Sequence, residues 1–374
     1  MPRDALRILD ANLNRAREGL RTAEEFARLS ANDADRARAL KNLRHNLDTL
    51  FRAPALHRAL LAARDVAADV GAGLTLPSQT AARAADLTPA DVARAAVKRA
   101  LEALRNLEEY LPAAPPPAPA GSAAGSAKWP APRALAALRY ALYDLERDLF
   151  LTLRRRELLA GRVLCLLWSP EHYTLGAEQA LHAAAAGARA ARRPDALLIQ
   201  LRVKQMDDGP LLKLARATRK ICARLDLPLI LNDRPLVALH AGCDGVHLGQ
   251  TDLPPALARE LLGPDKLIGL STHSAEQIRA ALREPVDYLG LGPMFASTTK
   301  PELKPQGSTL AQATRAVRRH GALPVFAIGG VSAANISTLV RHGLGAAAVS
   351  SAVFGSSEPK RIRAAVHDLL RALP

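Results

Sequence analysis

Residues 229–252 read LILNDRPLVALHAGCDGVHLGQTD, and this stretch decides how the rest of the sequence is interpreted. Two short apolar runs, at 229–231 and 245–248, are each followed directly by a polar cluster. Between them, residues 235–241 have the length and apolar spacing of about two helical turns, and Gly242 follows. Strand, loop, short helix and strand in this order form the repeating unit of a parallel α/β fold.

Two aspartates follow the predicted strands of this unit, Asp233 after the first and Asp252 after the second. Neighbouring parallel strands have their carboxyl ends on the same rim, so we expect the two carboxylates to lie close together. Oxygen ligands without a cluster of Cys or His favour a hard cation such as Mg²⁺. Each aspartate alone could equally be a helix N-cap, but their matching positions favour a metal site.

Short apolar runs alternate with helical stretches through the C-terminal part of the sequence. The runs that read as strands are residues 163–168, 196–201, 229–231, 245–248, 267–270, 288–291, 325–328 and 346–349. Eight strands with intervening helices over roughly 210 residues predict an α/β fold of the (β/α)8 TIM barrel type. The main alternative is a doubly wound open sheet, which usually has fewer strands. No GxGxxG motif follows the first run, which also counts against that alternative.

The N-terminal part of the sequence has a helical pattern with an internal repeat. Residues 14–26, NRAREGLRTAEEF, align with residues 98–110, KRALEALRNLEEY, and a second helix with matching leucines follows each copy. Two such helix pairs predict an all-α, four-helix bundle with pseudo-twofold symmetry. Asp33 and Asp91 are the predicted starts of the second and third helices.

A Pro-, Ala- and Gly-rich stretch at residues 112–132 has the composition of an interdomain linker. Because the fourth helix of the repeat follows it, we interpret the stretch as a disordered loop inside the helical domain. The predicted domains are therefore residues 1–160, an all-α bundle, and residues 161–374, the barrel.

The composition argues against several classes of protein. Of the 374 residues, 49% are hydrophobic and 23% are charged, and no run reaches the ~18 apolar residues of a membrane span. The net charge of +15 comes with only 3% aromatic residues and no nucleic-acid-binding motif, so a nucleic acid partner is not expected. Three cysteines without metal spacing, and a charged N-terminus, predict a cytoplasmic protein. A homo-oligomer stays open.

In a (β/α)8 barrel the active site lies at the C-terminal ends of the strands. The second strand leads into QLRVK at 200–204, where Arg202 and Lys204 bring two cations to this rim. The alternative for both is a solvated surface side chain. His273 follows the fifth strand, but a predicted helix begins there, so it is interpreted as a neighbour of the helix cap.

Hydroxyl groups and glycines follow the last three strands, where such barrels commonly bind phosphate. The residues of this predicted phosphate site are Ser297, Thr298, Thr299, Lys300, Gly329, Gly330, Ser350 and Ser351. Together the rim combines a phosphate pocket, a second set of cations and a carboxylate pair. This combination predicts a phosphorylated acceptor and a Mg²⁺-chelated diphosphate, with catalysis by charge stabilisation and positioning.

Seven motifs in the C-terminal part occur in the order found in one enzyme family. They are QLRVK (200–204), LNDR (231–234), GVHLGQTDLP (245–254), GLSTH (269–273), GPMFASTTK (292–300), AIGGV (327–331) and VSSAV (349–353). On these motifs the sequence resembles the thiamine-phosphate synthases. The resemblance implies that hydroxymethylpyrimidine diphosphate is joined to a thiazole phosphate with release of pyrophosphate, through a pyrimidine-stabilised cation. The alternative is a thiazole tautomerase-like protein, a group that typically lacks the metal and diphosphate residues.

The resemblance also implies a role for each matching position. Asp233 and Asp252 would hold Mg²⁺. The residues implied to bind the pyrimidine diphosphate are Gln200, Arg202, Lys204, Asn232, Ser271 and Lys300. Four of them are also the candidate catalytic residues: Arg202, Lys204, Ser271 and Lys300. The residues implied to bind the thiazole phosphate are Ser297, Thr298, Thr299, Gly330, Ser350 and Ser351.

Two N-terminal stretches, residues 10–29 and RDVAADVGAG at 64–73, resemble a helical domain often fused to this synthase. The resemblance implies that this domain phosphorylates hydroxymethylpyrimidine phosphate, the step that makes the substrate of the barrel. The sequence contains no Walker loop or kinase Gly-rich motif, and a scaffold or oligomerisation bundle is the alternative. Asn14, Arg17 and Arg21 share one helix face and are candidates for a site there. The second stretch adds Arg64, Asp65, Asp69 and Gly71 to these candidates.

Overall fold

The structure is a computed structural model, and it describes residues 2–65, 87–114, 128–296 and 323–374. The chain forms two compact units, Met1–Leu153 and Arg154–Pro374. The division falls inside one long helix, a few residues before the junction predicted at residues 160/161. Within the described ranges, no helix is long and apolar enough to cross a membrane.

The first unit is helical, as predicted. Its helices are α1 (Pro2–Glu25), α2 (Ala34–Leu50), α3 (Pro54–Ala63), α4 (Pro89–Tyr110) and α5 (Pro132–Leu159), and α5 continues into the second unit. A π-helical turn, Phe26–Ser30, extends α1, and a 3₁₀ turn, Leu111–Ala113, follows α4. Helix α3 lies outside the repeat and was not predicted. Most of the predicted loop, residues 115–127, lies outside the described residues.

The two predicted helix starts differ in outcome. Asp33 is the N-cap of α2, where its carboxylate accepts a hydrogen bond from the Arg36 backbone N–H at 3.1 Å. The prediction that α4 starts at Asp91 was wrong, because Thr88 is the N-cap of this helix. Asp91 is instead the third helical residue and completes a reciprocal capping box with Thr88.

The repeat is visible as a pair of equivalent ion pairs. In the first copy, Arg44 of α2 donates to Glu24 of α1 at 3.0 Å. In the second copy, Arg139 of α5 donates to Glu108 of α4 at 3.1 Å. The two glutamates align in the repeat, as do the two arginines, so each helix pair is held by the same contact.

The second unit is a closed barrel of parallel strands in sequence order, as predicted. The strands are β1 (Leu164–Trp168), β2 (Leu197–Leu201), β3 (Leu229–Asn232), β4 (Gly245–Leu248), β5 (Leu267–Thr272), β6 (Tyr288–Leu291), β7 (Val325–Ile328) and β8 (Ala347–Val349). The helices described around it are α6 (Ala177–Ala190), α7 (Asp208–Arg224), α8 (Pro235–Ala241), α9 (Pro255–Leu262), α10 (Ala275–Ala281), α11 (Ile336–Arg341), α12 (Ser351–Phe354) and α13 (Pro359–Ala372). Gly242 ends α8 in the left-handed conformation, with φ of 71°.

Alternate residues of each strand face the barrel interior, and the others pack under the surrounding helices. The interior apolar cluster contains Cys165, Leu167, Leu198, Ile230, Leu267, Tyr288, Phe326 and Ala348. Leu159, from the end of α5, joins the same cluster. The last turn of α5 is therefore part of the barrel core.

Asp287, just before β6, is an ion-pair hub at the N-terminal end of the barrel. Its carboxylate accepts hydrogen bonds from Arg155 of α5 and Arg259 of α9, each at 2.7 Å, and from the Ile268 backbone N–H at 2.8 Å. The Asp287 side chain is only 12% exposed. One carboxylate therefore ties a helix, a second helix and a strand together in a largely dry environment.

We expect Asp287→Ala to lower the free energy of unfolding of the barrel by about 3–5 kcal/mol, because two partly buried guanidinium groups lose the carboxylate that balances their charge. The matched control is Glu276→Ala, whose carboxylate is 74% exposed in its pair with Arg279. That change should cost much less, because solvent screens an exposed ion pair. Urea unfolding followed by circular dichroism measures both, and equal effects would contradict the role given to Asp287.

Candidate functional site

A cavity of about 420 Å³ opens at the C-terminal ends of the barrel strands. The residues predicted for the site that line it are Gln200, Arg202, Asn232, Ser271, Gly330, Ser350 and Ser351. His247, His273 and Gly329 line it as well. The chain thus brings together side chains that are up to 151 residues apart in sequence, from Gln200 to Ser351.

Strand alternation explains why polar groups meet in this cavity. Gln200 and Asn232 lie two residues beyond Leu198 and Ile230, which belong to the interior apolar cluster, so they face the same way. Ser271 has the same relation to Leu267, four residues earlier. The interior is therefore apolar at one end of the barrel and polar at the other.

Asp233 and Asp252 lie close enough for their carboxylates to interact, as predicted from the strand ends. Burial raises the pKa of Asp233; the Lys204 ammonium, which forms an ion pair with it, opposes this effect, and Asp252 adds to it. Neither aspartate is a helix N-cap: Arg234 holds that position for α8 and Pro254 for α9. The N-cap alternative is therefore wrong for both.

Asp233 is held in an uncommon backbone conformation, with φ of 65°. Its backbone N–H donates to the His247 carbonyl at 2.8 Å, which ties the end of β3 to β4. Asp252 accepts a hydrogen bond from the Gly249 backbone N–H at 2.6 Å. Backbone contacts thus fix the positions of both carboxylates.

Glu171, which sequence reasoning missed, positions the segment that carries Lys204. Its carboxylate accepts hydrogen bonds from the backbone N–H groups of Lys204, at 3.0 and 3.1 Å, and Gln205, at 2.7 Å. Burial acts to raise the pKa of Glu171, but these two N–H groups, together with the nearby His172 and Arg202, outweigh it and lower the pKa. The loop after β2 is therefore held by an ionised carboxylate.

The glycines after β7 have a structural reason that the sequence did not reveal. Gly329 and Gly330 have φ of 96° and 64°. A Cβ on Gly330 would lie 2.2 Å from the Ala296 carbonyl oxygen, and one on Gly329 would lie 2.7 Å from Pro293. The sequence predicted that these glycines let a phosphate approach the backbone closely. In the structure, the loop after β6 makes that close approach to both glycines.

Ser350 lines the cavity, but its hydroxyl is committed elsewhere. It donates to the Leu167 carbonyl at 3.0 Å and lies 2.7 Å from the Tyr173 hydroxyl. The role of Ser350 at a phosphate stays a prediction, and in this structure its hydroxyl donates to the chain itself. Tyr173 is another residue that sequence reasoning missed.

Part of the predicted phosphate site cannot be placed. Ser297, Thr298, Thr299 and Lys300 lie outside the described residues. His273, interpreted as a cap neighbour, does precede the N-cap Ser274 of α10. Its ring Nδ1 lies 2.6 Å from the Gly292 carbonyl, and the side chain also lines the cavity.

A hydrogen-bonded chain of buried side chains forms the floor of the cavity. His247 Nε2 lies 2.9 Å from the Ser271 hydroxyl, and His247 Nδ1 lies 3.1 Å from the Tyr288 hydroxyl. Tyr288 also interacts with Gln200, and burial raises its pKa well above the usual value, so it stays a neutral hydroxyl. Tyr288 can therefore donate to His247 Nδ1. The Nε2–H group of the neutral His247 ring then donates to Ser271.

Sequence reasoning missed His247 and Tyr288, although both lie in quoted motifs or predicted strands. A His at an inward position of β4, between outward Val246 and Leu248, was the available signal. Two glycines make room for the rings: a Cβ on Gly269 would lie 2.2 Å from the Tyr288 ring and 2.5 Å from His247 Nδ1. Gly290 lies beside His247 in the same way, at 3.2 Å.

The donor set near the two aspartates fits a hard cation. Within the ranges that the structure describes, no group of three or more His, Cys, Asp and Glu side chains is gathered as a metal site. Two carboxylates suit a cation that keeps several waters and takes substrate oxygens as further ligands. The amide Nδ2 of Asn232 is buried without a hydrogen-bond partner in the same part of the chain, which fits an acceptor-rich ligand.

Comparisons with known proteins show the family of the chain. The family model described as thiamine monophosphate synthase matches residues 173–353. The thiamine-phosphate synthase of Synechococcus sp. (strain CC9605) is 39% identical over 357 residues, which cover 94% of this chain and 91% of the relative. The chain belongs to the thiamine-phosphate synthase family. Like its relatives it is a transferase, and the family uses a metal ion.

Further relatives match both units. The thiamine-phosphate synthase of Rhodopirellula baltica is 36% identical and covers all of this chain, with 94% of its own length matched. The ThiD2 family model matches residues 7–148 of this synthase-family chain. Among solved structures, thiamine phosphate pyrophosphorylase from Pyrococcus furiosus has a TM-score of 0.48 at 27% identity, covering 59% of this chain and 96% of that chain.

The space above Gly269 provides a test of the cavity floor. We expect Gly269→Ala to destabilise this family member by about 1–3 kcal/mol or more, because the methyl group would overlap the Tyr288 and His247 rings. Gly209→Ala is the control, since a Cβ there meets open space at the start of α7. Thermal unfolding measures both variants. A fall of the same size in the control would contradict the packing argument.

Proposed function

We propose that the barrel joins hydroxymethylpyrimidine diphosphate to a thiazole phosphate and releases pyrophosphate. The observation that carries this proposal is the single cavity lined by Gln200, Arg202, Asn232 and Ser271, with the Asp233–Asp252 pair on neighbouring strand ends. The bond between the pyrimidine methylene carbon and the diphosphate oxygen breaks, and both electrons leave with pyrophosphate. The lone pair of the thiazole nitrogen forms the new C–N bond, so no oxidant or reductant is needed.

We propose Mg²⁺ as the metal ion, held by Asp233 and Asp252. When bound, the cation would neutralise charge on the departing diphosphate. The ion pair between Lys204 and Asp233 supports this position, because it brings an ammonium beside a proposed metal ligand. The ammonium and the metal would then share the negative charge of a bound diphosphate. Glu171 keeps Lys204 at this place through the loop backbone.

The diphosphate would bind where the cavity supplies positive charge and hydrogen-bond donors. Arg202 provides a guanidinium, which suits bidentate contact with phosphate oxygens. The unpartnered Asn232 amide is a further donor. Lys300 has its proposed role by resemblance alone, because it lies outside the described residues. Catalysis by these groups is stabilisation of the charge that develops on the leaving group.

The buried chain Tyr288–His247–Ser271 would set the direction of the Ser271 hydroxyl. If Tyr288 donates to His247 Nδ1 and His247 Nε2–H donates to Ser271, the Ser271 proton is free to point into the cavity. Ser271 then serves as a donor to the diphosphate. His247 and Tyr288 act as positioning residues and need not contact the substrate.

The thiazole phosphate would bind at Gly330 and Ser351, with the hydroxyls of Ser297, Thr298 and Thr299 assigned by resemblance. Ser350 would contribute through its backbone, since its hydroxyl is bonded to Leu167. We also propose a reducing, cytoplasmic setting. In its favour, Cys165, Cys222 and Cys243 are free thiols whose burial raises each pKa to about 12.

We expect Asp233→Asn and Asp252→Asn each to lower kcat/KM for synthesis by about 100-fold or more, because the proposed metal loses a ligand charge. Asp265→Asn is the matched control, since that carboxylate precedes β5 at the opposite end of the barrel. Turnover is measured across Mg²⁺ concentrations. Near-normal activity of either variant at limiting Mg²⁺ would show that the ion is bound elsewhere.

For the helical unit we propose the phosphorylation of hydroxymethylpyrimidine phosphate, with a scaffold as the alternative. The match of residues 7–148 to the ThiD2 family favours the kinase, in line with the resemblance of that region. Such an activity would supply the diphosphate that the barrel consumes.

The intact protein, given ATP, Mg²⁺ and hydroxymethylpyrimidine phosphate, should form the diphosphate. Trapping the product with a thiazole phosphate acceptor would then yield thiamine phosphate from the monophosphate alone. Failure of the wild-type chain to form any diphosphate, while it still couples supplied diphosphate, would leave the scaffold alternative.

A further inference from the structure

A second cavity, of about 690 Å³, lies in the helical unit beside the first half of α1. Three elements line it: α1, residues 64 and 65 after α3, and the last two turns of α4. Its polar lining residues are Asp4, Arg7, Asp10, Asn12, Asn14, Arg15, Arg64, Asp65, Asn106 and Tyr110. In the described part of the chain, every residue that lines it belongs to the helical unit.

Two of these polar residues are buried in the bundle, which is costly without a reason. Asp10 is 8% exposed and accepts two hydrogen bonds from Arg64, at 2.7 and 2.8 Å. Asn12 is 4% exposed; it donates to the Ile8 carbonyl at 2.8 Å and accepts from Asn106 at 3.1 Å. The floor of this cavity is therefore a fixed network of paired polar groups.

Comparing the two copies of the repeat shows which polar residues the helical fold itself requires. Residues of α1 align with residues of α4 that are 84 positions later, as Arg15 does with Arg99. At the positions equivalent to Asp10, Asn12 and Asn14, the second copy has Arg94, Ala96 and Lys98. The second copy folds into the same helix pair without these groups, so the bundle itself does not require them.

Several groups at the cavity stay available for a ligand. In the described part of the chain, neither the Asn14 nor the Arg15 side chain has a hydrogen bond or ion pair. Asn106 uses its amide N–H₂ group on Asn12, which leaves its carbonyl as an acceptor. Tyr110 is 40% exposed and offers a ring face.

Arg17 and Arg21, which were candidates from the sequence, do not belong to this cavity. Arg17 pairs with Asp48 at 2.6 Å and Arg21 pairs with Glu25 at 2.8 Å. They lie with Glu18, Thr22 and Arg44 at a separate groove. Of the three residues on the predicted face, only Asn14 lines the cavity. Arg64 and Asp65 of the second stretch also line it, whereas Asp69 and Gly71 lie outside the described residues.

We infer that this α1 cavity is the ligand-binding site of the helical unit, and that it takes a small phosphorylated nitrogen heterocycle. An arginine without a partner suits a phosphate group. Neighbouring amides suit the donors and acceptors of a polar ring, and a tyrosine suits its face. Only the choice of hydroxymethylpyrimidine phosphate as the probe rests on the kinase activity proposed above.

The test is calorimetric titration of the full-length chain with hydroxymethylpyrimidine phosphate in the absence of ATP. All proteins carry Arg202→Ala, which reduces binding of the probe in the barrel cavity. Against this background, Arg15→Ala and Asn106→Asp should each raise Kd about tenfold or more, since one removes the cation and the other places a carboxylate beside the ligand. Arg99→Ala, the repeat equivalent on an exposed position of α4, should leave Kd unchanged within about twofold.

Inorganic phosphate serves as a second probe and should bind much more weakly, because the ring contacts are missing. Unchanged Kd in both cavity variants, or no binding of the probe to the starting protein, would overturn the site. Binding that is lost in both cavity variants, in a chain without kinase activity, would keep the site and end the kinase proposal. Diphosphate formation at unchanged KM in both cavity variants would keep the kinase and overturn the site.

Discussion

Alternation of side chains along short strands in a closed barrel is the constraint on which the site depends. Only every second residue faces inward, and the enclosed space must be filled without unpaired polar groups. Here the inward residues are apolar toward one end and polar toward the other, where Gln200, His247, Ser271 and Tyr288 satisfy one another. Gly269 has no side chain, which leaves space for the Tyr288 and His247 rings to pack above it. The cavity floor is therefore formed before any ligand binds.

Electrostatics at the rim follows from this rigid floor. Asp233 is partly buried beside a second carboxylate, which is unfavourable by itself, and Lys204 offsets part of that cost. Glu171 and the His247 carbonyl hold the two loops by their backbones, so the charged side chains have little freedom to separate. The free energy of reorganisation that such a site needs to bind a charged substrate together with a cation is therefore small.

The helical unit shows how a repeat can keep its packing and change its chemistry. Each copy retains a Glu–Arg pair between its two helices, Glu24 with Arg44 and Glu108 with Arg139. The polar groups around Asp10 and Asn12 occur in the first copy alone. Duplication supplies a stable pair of helix pairs, and divergence of one copy leaves room for a cavity on one side.

Local features of the sequence determined the strands, the order of the barrel and the Asp233–Asp252 pair, because apolar runs, turn residues and strand ends are encoded within a few positions. Tertiary structure alone decided the rest. Tyr173 meets Ser350 across 177 residues, and His247 finds Tyr288 only through the register of three strands. Gly330 leaves space for the Ala296 carbonyl, a contact that no local sequence pattern specifies. Such contacts depend on which distant segments the barrel makes adjacent, so spacing along the chain does not reveal them.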